Sequence, residues 1–289
     1  MIRTVNDAYL DLRAEFRSRG IAGYSVEARE LTAFALGLSP EEFYDKRNQF
    51  IFEKDEQKLA ELKALRFSGV PLQHITGRWE FYGLPMEVTA DTLIPRPDTE
   101  KLAEVGIGLL SSRSKGRVLD LCCGTGCVGI AVLKHISEDI HGVFADCSEA
   151  ALEVTRRNLA ANGLNLRALT YQVDALQPAD PVLGKFHLIV CNPPYIPSGD
   201  IDGLDVEVRH EPRMALDGGE DGLDFYRAVT RNFASALMPG GTLAFEVGLG
   251  QYEDVMDILE QAGYSYVQFA SDLAGVERVV WGVWDQHGR

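Results

Sequence analysis

The chain has 289 residues, 46% hydrophobic and 25% charged, and its 43 acidic and 28 basic residues give a formal net charge of −15. This composition is typical of a soluble globular protein, and the length predicts one large domain or two ordinary ones. The acidity disfavours proteins that bind the phosphate backbone of nucleic acid, because such proteins need a basic surface. Nucleic acid is therefore an unlikely partner.

No segment of the chain suggests export or a membrane. Residues 1–16 lack the apolar core of a signal peptide, and no stretch approaches the roughly 18 apolar residues of a membrane span. The five cysteines are an odd number without the spacing of a disulfide framework, which predicts reduced thiols and a cytoplasmic protein. Cys122 and Cys123 with Cys127 have no histidine at the spacing of a zinc site, so we expect no metal.

Residues 1–72 are predicted to form a small helical domain. Apolar residues recur there every three or four positions, as at Leu12 and Phe16 and again at Leu59 and Leu62. In residues 73–92 we expect a β-hairpin linker, because apolar residues alternate on both sides of a central glycine. Residues 93–289 then form the second domain.

Strands and helices alternate from residue 117 onward. Apolar runs at 117–121, 142–146, 169–173, 186–191 and 241–246 predict strands, with two closing strands near 264–270 and 278–284. This pattern predicts an α/β fold, a Rossmann-like and mostly parallel sheet of seven strands with helices on both faces. In such a sheet, ligands bind beyond the carboxyl ends of the strands.

The loop after the first of these strands combines a glycine turn with acidic strand ends. The turn comprises Cys122, Cys123, Gly124, Thr125 and Gly126. Asp120 precedes it, where a carboxylate would repel a pyrophosphate but would balance a methionine ammonium or sulfonium. Asp146 ends the second strand and suits a ribose diol, and Asp174 ends the third, within reach of an adenine amino group. The loop lacks a Walker lysine and the dinucleotide fingerprint, so S-adenosylmethionine fits better than a phosphate cofactor.

The fourth strand runs into the predicted catalytic motif, Asn192, Pro193, Pro194 and Tyr195. The two prolines stiffen the backbone and remove two N–H donors. The side-chain oxygen of Asn192 and the carbonyl oxygen of Pro193 can then act as paired acceptors for the two hydrogens of a planar NH₂ group. Accepting both hydrogens would orient an amide or aryl-amine nitrogen and stabilise the charge that develops on it. Tyr195 can pack its ring on a planar substrate.

This motif and the Asp120 loop together resemble the amino-methyltransferases that use S-adenosylmethionine. A wider set of segments, residues 71–77, 93–100 and 209–212, resembles the subfamily that methylates the glutamine amide of class-I peptide chain release factors, the HemK/PrmC proteins. The resemblance extends over residues 1–285. The four-residue motif alone also fits an adenine-N6 DNA or RNA methyltransferase, which is the alternative, and the segment 94–100 disfavours it.

The resemblance implies a protein-(glutamine-N5) methyltransferase that acts on the Gly-Gly-Gln glutamine of release factors, with a seven-stranded methyltransferase sheet as its catalytic domain. It implies that the loop 122–126 wraps the methionine part of the cofactor, that Asp146 holds the ribose, and that Asp174 and Ala175 hold the adenine. Asp120 and Asn192 complete the predicted cofactor-binding set. Substrate-binding roles are implied for Arg96, Asn192, Pro193, Pro194, Tyr195, Arg209 and Glu211. The helical domain is implied to dock the release factor.

Two residues depart from the pattern of that family. Cys122 stands where the family usually has glycine, and a positive φ at this position would strain a cysteine. Ala175 stands where a bulkier residue often packs on adenine. Further along, the acidic, glycine-rich run at 217–222 resembles a calcium loop only in composition, and we expect it to be a flexible, solvated loop over the site.

Overall fold

The computed structural model describes residues 3–285. The chain divides into two compact units, one comprising Met1–Gly77 with Val206–His210 and the other comprising Arg78–Asp205 with Glu211–Arg289. The first unit therefore extends five residues beyond the boundary expected at residue 72 and also includes a short segment from the second half of the chain. None of the helices within residues 3–285 is long and apolar enough to cross a membrane.

The first unit is helical, as the apolar spacing predicts. Its helices are α1 (Val5–Ser18), α2 (Tyr24–Leu36), α3 (Pro40–Asp45), α4 (Glu53–Phe67) and α5 (Leu72–Thr76). Capping boxes start α1 at Thr4 and α3 at Ser39, where a side-chain oxygen accepts a backbone N–H that the helix leaves unpaired. The helices bury a common core that includes Leu12, Phe16 and Leu31.

Arg66 anchors the segment Val206–His210 within this helical unit. Its side chain is only 4% exposed, and Nε lies 2.6 Å from Oε2 of Glu27. A second guanidinium nitrogen, Nη2, lies 2.5 Å from Oε1 of Glu207. A buried guanidinium needs such anionic partners, because an unpaired charge is costly away from water. The pairing explains why residues distant in sequence belong to the same unit.

The second unit begins with the predicted hairpin, formed by β1 (Arg78–Phe81) and β2 (Leu84–Glu87). The turn between them uses Tyr82 and Gly83, both at positive φ. The hairpin is fastened by Asn158, whose side-chain oxygen accepts the Glu87 N–H at 2.6 Å and whose amide donates to the Glu87 carbonyl at 3.0 Å.

A seven-stranded sheet forms the centre of the second unit and confirms the predicted fold class. Its strands are β3 (Gly116–Leu121), β4 (Ile140–Asp146), β5 (Ala168–Gln172), β6 (Phe186–Cys191), β7 (Leu237–Glu246), β8 (Tyr264–Ser271) and β9 (Glu277–Trp284). Their order is β5-β4-β3-β6-β7-β9-β8, and β9 runs antiparallel to both of its neighbours. The flanking helices are α6 (Glu100–Leu110), α7 (Cys127–Lys134), α8 (Glu149–Ala161), α9 (Asp224–Asn232) and α10 (Tyr252–Gln261).

The two faces of the sheet bury separate hydrophobic cores. Successive side chains of a strand point to opposite faces, so Val118 packs in one core and Leu119 in the other. Leu121 at the end of β3 is in register with Ala145 on one side and Cys191 on the other. This register brings the ends of β4, β3 and β6 to one edge, where the strand order changes direction between β3 and β6.

Candidate active site

A cleft with an empty volume of about 820 Å³, counting space open to solvent, lies at this edge of the sheet. Many of the residues that sequence analysis singled out line it together. They are Asp120, Cys122, Cys123, Gly124, Thr125, Asp146, Asn192 and Pro194. The parallel register explains the assembly, because it places the loops after three neighbouring strands side by side.

Other parts of the wall come from residues that sequence analysis did not assign to a site. They are Asp91, Thr92, Leu93, Pro95, Thr99, Cys127, Val128, Cys147, Ser148, Ala151, Pro212, Met214, Ala215 and Phe225. The segments 93–100 and 209–212 did carry a signal, since both belong to the resemblance. The local sequence contains no signal for Met214 and Phe225, which reach the cleft only through the fold.

Asp146 organises the glycine turn. Its Oδ2 accepts the Gly124 N–H at 2.9 Å and its Oδ1 accepts the Ser148 N–H at 2.9 Å. Burial raises the pKa of Asp146, and these backbone hydrogen bonds oppose that shift. Each carboxylate oxygen has a second lone pair, so Asp146 can still accept hydrogen bonds from hydroxyl groups in the cleft.

Asp120 is 3% exposed, and its Oδ2 accepts the Gly129 N–H at 2.8 Å. Burial first, and then the charge of Asp146, raise the pKa of Asp120 to about 8. Within the described chain, no positively charged side chain is among the groups that shift the pKa of Asp120. A ligand that brings a positive charge into the cleft would therefore be favoured beside Asp120.

Cys122 has φ = +58°, so the conformation that sequence analysis identified as a source of strain is present. Its thiol hydrogen bonds with Cys191, which ends the neighbouring strand β6, and this contact and burial raise the pKa of Cys122. A raised thiol pKa disfavours the reactive thiolate. All five cysteines are free thiols. Within residues 3–285, no three or more His, Cys, Asp or Glu side chains cluster in a way that could hold a metal ion.

The predicted adenine residues lie outside the cleft lining. Asp174 is exposed, and its Oδ1 accepts the Leu176 N–H at 2.9 Å. Ala175 is only 3% exposed and packs in the core of one sheet face. Gly126, at φ = +78°, is the N-cap residue that precedes α7 and likewise does not line the cleft.

The catalytic motif predicted from the sequence is divided between the cleft and the core. Asn192 and Pro194 line the cleft, whereas Pro193 is buried and Tyr195 is half-buried. The hydroxyl group of Tyr195 lies 3.4 Å from Oε1 of Glu246 at the end of β7. Burial raises the pKa of this Glu246 carboxyl to about 7.

Glu211 supports the cleft from behind rather than lining it. It is 5% exposed, forms an ion pair with Arg96, and accepts the Ile94 N–H at 3.0 Å. Burial raises the pKa of Glu211, while Arg96 and the Ile94 N–H lower it. The pair ties residues 94–96 to the segment that begins at Glu211, and both segments contribute neighbouring residues to the wall. Arg209 belongs to the helical unit.

Each of the two units contains a segment that matches a known protein family. Residues 7–77 match the family model described as PrmC N-terminal domain, and residues 102–207 match Methyltransferase small domain. The chain is 35% identical over 282 residues to a release factor glutamine methyltransferase of Agrobacterium fabrum, covering 96% of each sequence. It is 42% identical over 253 residues to a protein of the same name from Rhodospirillum rubrum, covering 87% of this chain and 76% of that relative.

Among solved structures, the chain resembles the catalytic domain of hMettl16 in complex with the MAT2A 3'UTR hairpin 6. The TM-score is 0.59 with 13% sequence identity, and the match covers 79% of this chain and 84% of that one. A likeness at this identity establishes the shared fold of the sheet unit and nothing about the substrate.

Proposed function

This chain belongs to the family of release factor glutamine methyltransferases, as its sequence predicted, and we propose that it methylates the glutamine side-chain amide of the Gly-Gly-Gln motif in class-I peptide chain release factors. The observation that carries the proposal is the position of Asn192 in the wall of the same cleft as Asp120 and Asp146. An NH₂-binding group thus lies beside carboxylates that suit a cationic, ribose-containing cofactor.

The cleft residues fit S-adenosylmethionine. Asp146 retains lone pairs for the ribose hydroxyls. No cation of the described chain lowers the pKa of Asp120, so a ligand that carries an ammonium and a sulfonium would favour its carboxylate form. The loop 122–126 would hold the methionine part. The adenine would extend toward the exposed Asp174, whereas Ala175 is buried in the core and would not contact it. When bound, this cofactor supplies an electrophilic methyl group.

Asn192 and Pro193 would prepare the glutamine for the reaction. The Asn192 side-chain oxygen and the Pro193 carbonyl oxygen would each accept one N–H of the glutamine NH₂ group, which fixes the orientation of the nitrogen. The same two acceptors stabilise the positive charge that develops on the nitrogen. Pro194 stiffens the motif, and Tyr195 lines the slot for the planar amide.

The partner would be a class-I release factor, and the helical unit would dock it. This unit matches the PrmC N-terminal domain and its described part contains no residue of the cleft, so we assign it a docking role rather than a chemical one. Arg96 of the sheet unit and Arg209 of the helical unit would each contact the protein substrate. A release factor substrate would place the enzyme in the cytoplasm, where translation ends.

Methyl transfer to purified release factors tests the proposed function. The protein is incubated with S-adenosylmethionine labelled in its methyl group and with each release factor of the host. We expect label in the glutamine-containing peptide, and none when that glutamine is replaced by alanine. Parallel samples with DNA and RNA test the adenine-N6 alternative, because adenine presents the same planar NH₂ group. Label in nucleic acid but not in release factor would overturn the proposal.

A further inference from the structure

The main chain of the catalytic motif is held from behind by Gln251, which lies outside the cleft. The Gln251 side-chain amide donates to the Tyr195 carbonyl at 3.0 Å and lies 3.4 Å from the Gly222 carbonyl. Its side-chain oxygen accepts the Gly248 N–H at 3.0 Å and lies 3.4 Å from the Tyr226 hydroxyl. One side chain thereby joins the motif to the end of β7 and to the loop 217–222.

The loop 217–222 packs on the motif instead of forming the flexible, solvated loop expected from its composition. A Cβ added to Gly218 would lie 2.7 Å from Tyr195 Cα and 2.9 Å from the Pro194 carbonyl oxygen. The Gly218 N–H also donates to the Ile196 carbonyl at 2.8 Å. Only a residue without a side chain lets the two backbones approach so closely.

Gly222 and Gly248 leave space for the same contact. A Cβ on Gly222 would lie 2.4 Å from the Tyr195 carbonyl oxygen and 2.8 Å from Gln251 Nε2. A Cβ on Gly248 would lie 2.6 Å from Gln251 Oε1. Three glycines from two separate segments thus surround one hydrogen-bonded junction.

We propose that Gln251 is a positioning residue for the methyl transfer, acting with the glycine loop to aim the acceptor pair of Asn192 and Pro193. The two prolines make the motif stiff, so holding its far end at the Tyr195 carbonyl fixes the direction of its near end at Asn192. This inference rests on the proposed function and adds a residue that touches neither cofactor nor substrate.

The substitution Gln251→Glu removes the donor at this junction. Glutamate has nearly the same shape and still accepts from the Gly248 N–H, but as a carboxylate it cannot donate to the Tyr195 or Gly222 carbonyl. We expect kcat to fall about tenfold to a hundredfold, since small misplacements of reacting groups have effects of that order. The Kd of S-adenosylmethionine should change less than about twofold. The matched control is Gln261→Glu, at the exposed carboxyl end of α10, the helix that Gln251 precedes as its N-cap residue, and it should keep wild-type kcat.

Gly218→Ala tests the same inference without changing Gln251. It replaces Gln251→Glu as the test if that variant melts below the assay temperature. The added methyl would press on Tyr195 Cα, so kcat should fall while cofactor Kd stays near that of the wild type. Its control is Gly199→Ala, because a Cβ there meets nothing within 4 Å. Wild-type kcat in the test variants would overturn the inference. So would a parallel loss of kcat, cofactor affinity and melting temperature, or a rise in KM alone. A wild-type enzyme that transfers no methyl group would instead refute the proposed function.

Discussion

Asp120 lies close enough to Asp146 for the charge of Asp146 to raise the pKa of Asp120. Asp120 is the second-last residue of β3 and Asp146 the last residue of the neighbouring parallel strand β4, and the register brings Asp120 opposite Phe144, two residues before Asp146. Burial is the larger cause of the shift, and together the two effects bring the pKa of Asp120 to about 8. At neutral pH, Asp120 of the free protein is therefore mainly protonated. A cationic ligand would displace this proton.

Cofactor binding should release this proton. Below pH 8 Asp120 is mainly protonated in the free protein, and a bound cation favours the carboxylate, so affinity should rise with pH by up to about tenfold per unit. We expect this slope between about pH 6 and 7.5, measured by calorimetry in two buffers of different ionisation enthalpy. Asp120→Asn should bind more weakly and lose the slope, and it also serves as the control for titration of the cofactor itself. Equal slopes in both proteins would contradict the assignment.

Asn192 should matter for transfer far more than for cofactor binding. Asn192→Ala removes one of the two acceptors for the glutamine NH₂ group, and losing a hydrogen-bonding group that stabilises developing charge costs about a hundredfold to a thousandfold in kcat. The Kd of S-adenosylmethionine should stay within about tenfold. Single-turnover methylation of a release factor measures the first quantity and equilibrium binding the second. Asn165→Ala, in an exposed turn, is the control, and transfer by Asn192→Ala at the wild-type rate would disprove the role.

The positive φ of Cys122 should be visible in protein stability. Any residue with a Cβ is disfavoured in this conformation by about 1 kcal/mol or somewhat more relative to glycine. Cys122→Gly should therefore be more stable to denaturant than Cys122→Ala by about 1 kcal/mol, since both variants lose the thiol contact with Cys191. At Cys123, which has no positive φ, the order should reverse. If alanine is the more stable variant at both positions, the strain is absent.

Arg96 and Glu211 should be energetically coupled. Arg96→Ala would leave the Glu211 carboxylate buried without its cation. In the Glu211→Gln background the buried side chain carries no charge, so Arg96→Ala should cost less stability there. A double-mutant cycle measured by urea unfolding should give a coupling of about 1–3 kcal/mol. The exposed pair Arg227 and Asp221, with side chains 47% and 48% exposed, is the control and should give less than about 1 kcal/mol. Similar coupling energies in both pairs would mean that the burial of Glu211 does not strengthen its interaction with Arg96.

The parts of the fold and site that sequence analysis predicted are those that local patterns encode. Apolar runs predict the strands, and Asp120, Asp146 and Asn192 each lie at or just beyond the carboxyl end of one of those runs, so the common edge of a parallel sheet brings them together. In the loop 217–222, Glu220 and Asp221 are exposed as expected, whereas Gly218 and Gly222 are buried against the motif. Acidic and glycine residues are common in both exposed turns and close backbone contacts. The sequence pattern alone does not distinguish the two.

The sequence by itself determined the class of fold, the edge of the sheet that carries the site, and the acceptor motif, because each depends on residues that are adjacent or regularly spaced. Only the tertiary structure decided that Gln251 holds the Tyr195 carbonyl, that Glu211 pairs with Arg96, and that Arg66 binds Glu207. These partners lie 56, 115 and 141 residues apart. Their meeting depends on strand register and on how helices and loops pack, and no local period encodes either.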